Sequence, residues 1–173
     1  LEGANAFVCE LAALLHDAIE DANQSQASIA VRFGGTVADI VRDCTDTSPD
    51  AADGEKEPWL LRKTRYLASL QKKPLTSLLV TAADKAHNAG DMVMDARKDP
   101  AMWSKFNAGL EGSAWYLLRM HQELVDRLPE SRSVQKLEEA VQEILTSAVY
   151  QELVPQGQPT EAWTQSYPER HQS

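Results

Sequence analysis

Residues 11–21 read LAALLHDAIED: a wholly apolar run, 11–15, then His16 and Asp17, then Glu20 and Asp21. Continued as a helix of about 3.6 residues per turn, the segment stacks His16 under Glu20 and Asp17 under Asp21. One imidazole and three carboxylates then share a patch at the end of a buried helix. Carboxylates in a last helical turn face the negative pole of the macrodipole, at a cost of about 0.3–1 kcal/mol each. Burying them without partners would cost far more. A bound cation would relieve both faults; so would a helix end that simply surfaces into water. The stretch alone leaves both readings open.

Working outward, helical periodicity recurs to the end of the chain. The first helix is expected over residues 5–22, broken by Asn23-Gln24-Ser25, with Ser25 as N-cap of a short helix carrying Ile29, Ala30 and Phe33. Gly34-Gly35 should stop that helix, and Thr36 should cap the next, 37–44, with Val37, Ile40 and Val41 at core spacing. Residues 45–58, TDTSPDAADGEKEP, are polar and acidic with two prolines and read as a long loop. Trp59 opens a basic amphipathic helix whose expected inner face is Leu60, Leu61, Thr64, Leu67, Ala68 and Leu70, opposite Arg62, Lys63 and Arg65. Further helices are expected over 75–94, 101–128 and 133–153, and residues 155–173 read as a weakly ordered tail pinned by Trp163 and Tyr167. No segment alternates with the period of a strand. The expected fold is all-α.

The length of 173 residues suits one domain, 1–154, with the tail behind it, and a hydrophobic content of 43% is ordinary for a globular chain. No apolar run approaches the ~20 residues that span a bilayer, and the start lacks the basic region of a signal peptide. Cys9 and Cys44 fall in helical segments and are expected as free thiols of a cytoplasmic protein. A net charge of −9 argues against nucleic acid and anionic membranes as partners, but not against a small phosphorylated ligand met by local cations. The aromatic-rich stretch from Trp103 suits an interface between copies of the chain.

A second polar anomaly lies at residues 83–92, ADKAHNAGDM, behind the apolar Leu78-Leu79-Val80. Asp84 and Asn88 fall one turn apart on one face, with Asp91 close by. The simplest partner for them is the patch at 16–21, where His16, Asp17 and Asp84 would be N,O,O ligands of a hard or borderline divalent ion. Mn²⁺ or Mg²⁺ prefers about six ligands, so other groups must complete the set. His87 points away from the Asp84 face and reads as a packing or hydrogen-bonding residue, and His121 as a core histidine.

HDAIED followed by ADKAHN resembles the HD-domain metal phosphohydrolases, and within them the stand-alone relatives of the RelA/SpoT hydrolase domain. The segments AALLHDAIED, RFGGTVADIV, WLLRKTRYLASL, LLVTAADKAHN and WSKFNAGLEGSAWYLLRM each resemble a family segment in the same order, over residues 11–128. The resemblance implies an HD-domain helical bundle, with His16, Asp17 and Asp84 as metal ligands and Glu20 and Asp21 positioning or deprotonating the attacking water. It implies Asn88 near the substrate's ribose and phosphates, and Lys63 with Arg62 facing the phosphates. The implied cofactor is a divalent metal, Mn²⁺ foremost, with Mg²⁺, Co²⁺ or Fe²⁺ as alternatives. The implied substrate is guanosine tetra- or pentaphosphate, cleaved at the 3′-pyrophosphate. The family's first metal-binding histidine has no counterpart, and the uncapped start leads to the expectation that an N-terminal helix precedes Leu1. Ala86 and Gly90 stand where relatives often carry a bulky apolar and a basic residue. Two other readings stay open: a different HD nucleotide phosphohydrolase, and a catalytically silent HD fold that binds a nucleotide as a regulatory module.

Overall fold

The computed structural model describes residues 3–19, 22, 24–46 and 57–171, and every regular element among them is a helix. Among the described residues no helix is long and apolar enough to cross a membrane. The chain divides into two compact units, residues 1–84 and 85–173.

The first unit holds α1 (Gly3–Leu15), α2 (Gln26–Phe33), α3 (Gly35–Cys44), α4 (Trp59–Leu70) and the start of α5 (Leu75–Lys98). Helices α1 and α2 both pack on α3. The reason is the pattern on α3, where Val37, Ala38, Ile40 and Val41 fall on one face and are all buried. They join Cys9 and Ala12 of α1, Ile29 of α2 and Val80 of α5 in one core. Burying a side chain the size of Ile40 contributes about 1.5–3 kcal/mol. Ser25 caps α2 as expected, its hydroxyl accepting the Ser28 N–H at 3.1 Å. The α2–α3 junction is a single residue, Gly34, at φ +93°, a conformation that a side chain would strain. Cys9 and Cys44 are free thiols, and burial pushes the Cys9 thiol above its ordinary range.

Two expectations about this unit are corrected. Helix α1 ends at Leu15 rather than near residue 22, and residues 16–19 form a turn. Asp17 thus stands outside the helix, in the turn that follows it. On α4 the buried residues are Tyr66, Leu67 and Leu70, while Leu61, Thr64 and Ala68 are exposed. The inner face is rotated toward Tyr66 because its hydroxyl meets buried Thr81 at 3.3 Å.

The second unit holds the rest of α5, a 3₁₀ turn (Pro100–Lys105), α6 (Gly109–Val125), α7 (Arg132–Thr146) and the short α8 (Ala148–Gln151), α9 (Thr160–Gln165) and α10 (Tyr167–Arg170). The expected continuous helix over 101–128 is broken between Lys105 and Gly109, and the last long helix stops at Thr146. Ser147 then caps α8 by accepting the Tyr150 N–H. Helix α6 packs on α7 and α9. Its buried Leu117, Leu118, Met120 and Leu124 and the buried Val134, Leu137, Val141 and Ile144 of α7 form the apolar interior.

Residues 155–171, expected as part of a weakly ordered tail, carry α9 and α10 and pack on the second unit. Thr164 and Tyr167 are buried, and Thr164 Oγ1 lies 2.7 Å from the Tyr150 hydroxyl. Tyr167 stacks between Trp115 and His171, at ring separations of 5.7 and 4.1 Å. Arg170 pairs with Glu111 and covers the Trp163 ring at 3.5 Å. This closure depends on Gly112, where a Cβ would stand 2.4 Å from Ala108 and 2.7 Å from the Tyr167 hydroxyl. Gly112→Ala is therefore expected to destabilise the protein by about 1–3 kcal/mol in a denaturant melt, despite the better helix propensity of alanine. An unchanged midpoint would show that α10 does not hold Tyr167 against α6.

Candidate functional site

His16 follows α1 directly, and its Nδ1 lies 2.7 Å from the carbonyl oxygen of Ala13. Ala13 is in the last turn of the helix, where backbone carbonyls have no intrahelical partner. A carbonyl only accepts, so Nδ1 carries the proton and the imidazole caps the helix end. The chain turns beneath it, with the Ala18 N–H donating to Leu15 O at 2.8 Å and the Gln24 N–H to Ala18 O at 3.0 Å.

This fixes what the other ring nitrogen can do. Nε2 faces Asp17 Oδ2 at 2.8 Å and Asp84 Oδ1 at 3.1 Å. In the neutral ring Nε2 is an acceptor, and so are both carboxylate oxygens. Three acceptors turned toward one another repel unless a proton or a cation lies among them. An imidazolium has one N–H to offer there; a divalent cation would satisfy all three atoms. Among the described residues, no three His, Cys, Asp or Glu side chains are arranged as a group that could hold a metal ion. What the first unit brings together is His16 Nε2 with one oxygen each of Asp17 and Asp84.

Asp84 reaches this point because α5 is anchored by its buried Leu78, Val80 and Ala82 and turns polar one residue after Ala83. Its side chain is only 9% exposed and that of Asp17 56%, so the cluster opens to solvent on the Asp17 side. Asn88 follows Asp84 by one turn of α5, is exposed, and belongs to the second unit. His87 and Asp91 form an exposed i,i+4 contact of 3.4 Å. Glu20 and Asp21 lie outside the described residues, as do residues 47–56 of the acidic loop.

Arg62 and Lys63, expected to face phosphates, are brought instead onto Asp46, at 2.6 and 2.5 Å. The Asp46 side chain is just 6% exposed between them. Sequence reading missed this aspartate because it opens a segment whose acidic composition reads as solvated. Arg65 is likewise engaged by Glu57, and that hydrogen bond holds the Glu57 carboxyl below its usual range.

The chain matches the HD domain family over residues 8–105, more than half of its 173 residues. It belongs to the HD domain family. HD domains typically are metal-dependent hydrolases and bind divalent metals. The matched span contains His16, Asp17 and Asp84, the residues the first unit gathers. No curated protein matches the chain.

A cation among these acceptors should stabilise the HD domain. Saturating Mn²⁺ at about 100 times its Kd is expected to add about 2.7 kcal/mol, read as a raised Tm that EDTA reverses. Asp84→Asn should abolish the rise. A Tm indifferent to Mn²⁺ in the unaltered chain would mean that Nε2 meets the carboxylates as an imidazolium alone.

Proposed function

We propose that this HD domain is a metal-dependent nucleotide phosphohydrolase, related to the RelA/SpoT hydrolase domain, acting on guanosine tetra- or pentaphosphate. The observation that carries the reading is that His16 Nε2 lies within 3.1 Å of carboxylate oxygens of both Asp17 and Asp84. HDAIED and ADKAHN, which supply those three residues, support it.

His16, Asp17 and Asp84 would hold the ion. When bound, a divalent cation there lowers the pKa of a water and steadies phosphoryl oxygens as charge moves to the leaving group. Glu20 and Asp21 orient that water and accept its proton. The water oxygen adds to the phosphorus next to the ribose 3′-oxygen, and the P–O3′ bond breaks. The ribose oxygen takes up a proton, and GDP or GTP leaves with pyrophosphate. Asn88 hydrogen-bonds the ribose or a phosphate from one turn beyond Asp84. Arg62 and Lys63 meet phosphate by exchanging Asp46 for it, one anion for another at the same two cations.

The test is pyrophosphate release from guanosine tetraphosphate with Mn²⁺, beside Asp17→Asn and Asp84→Asn. The expected result is turnover that requires the metal and falls about 100-fold or more in either variant, a barrier increase of about 2.7 kcal/mol. Metal binding without release from this nucleotide would overturn the substrate and leave another nucleotide for the same centre. Neither binding nor turnover would favour a silent nucleotide-binding module, which the direct imidazole–carboxylate contacts also permit.

A further inference from the structure

A pocket in the first unit, of about 430 Å³, is lined by Asp43, Arg65, Ala68, Ser69, Lys72, Lys73 and Pro74. Its volume is that of a small-molecule site. Its charge runs against that of the chain: Lys72, Lys73 and Arg65, the last paired with Glu57, line it with one carboxylate, Asp43, in a protein of net charge −9.

The floor of this pocket is fixed. Lys73 Nζ donates to the Asp43 carbonyl at 2.5 Å and lies 3.8 Å over the ring of Tyr66, which is buried. An ammonium held in this way loses little rotamer freedom when it meets an anion. The Asp43 carboxylate accepts from the Ser77 hydroxyl at 2.6 Å, so the pocket's single negative group already has a hydrogen-bond donor. Lys72 is exposed at the rim, and Ser69 adds a hydroxyl. Ala68, Pro74 and the lysine stems give the same pocket an apolar wall.

We propose that this pocket binds a phosphorylated organic anion, with Lys72 and Lys73 on the phosphoryl oxygens and Ala68 and Pro74 against the organic part. It is distinct from the centre at His16. Leu75 and Asp84 are separated by about 14 Å along α5, at about 1.5 Å rise per residue. The site therefore stands or falls apart from the proposed hydrolysis.

Inorganic pyrophosphate is the probe, titrated into the full chain by calorimetry in EDTA so that no divalent ion contributes. Saturable binding is expected, weakening with added salt. Lys72→Gln, a change at an exposed position, is expected to weaken it about tenfold, the loss of one charge-assisted contact. Asp84→Asn should leave it unchanged. The proposal is overturned by the absence of saturation up to about 10 mM, where any remaining affinity is weaker than about 3 kcal/mol. Equal affinity in Lys72→Gln, or loss of binding in Asp84→Asn, would overturn it too.

Discussion

The hydrogen bond from His16 Nδ1 to the Ala13 carbonyl is the contact on which the centre depends. It answers two needs with one proton. The end of α1 has a carbonyl with no helical partner, and the imidazole supplies the donor. In return the carbonyl fixes the tautomer and the ring plane, as the outer hydrogen bond of a metal-binding histidine does. The position of that carbonyl follows from packing, because Cys9 and Ala12 seat α1 in the core formed with α3. An apolar run in the sequence is thereby converted into the direction of a nitrogen lone pair.

Charge in this acidic chain is distributed by the same logic. Exposed pairs such as Arg97–Glu143, where the guanidinium holds the Glu143 carboxyl below its usual range, are screened by water and contribute little. The pairing of Arg62 and Lys63 with Asp46 differs because all three side chains are largely buried. Removing one partner of a buried set leaves a desolvated charge behind, which costs far more than the pair contributes. Those two cations therefore need an anion at all times, Asp46 or one that replaces it, while Lys72 beside the neighbouring pocket stays exposed.

Much of this was legible in the sequence. The all-α class, the Ser25 cap, the glycine junction after Phe33 and the core face of α3 follow from spacing and residue type. So did the meeting of His16 and Asp17 with Asp84, because a buried helix that turns polar needs a polar partner. The end of α1 was not legible, since periodicity counts side chains and does not register an imidazole that takes up a backbone carbonyl. The inner face of α4 was misread for a related reason: Tyr66 is buried together with its hydroxyl, which Thr81 meets. At the C-terminus, a polar composition concealed aromatic stacking around Tyr167 that only the closed fold brings together.

The tautomer and occupancy of the His16 ring test the central claim most directly. Long-range ¹H–¹⁵N correlation of the imidazole, with and without a diamagnetic divalent ion, reads both nitrogens at once. The account predicts a proton on Nδ1 in both states, and a shift of Nε2 when the ion is added that is lost in Asp84→Asn. A ring protonated only at Nε2, or one whose Nε2 ignores saturating ion, would contradict it.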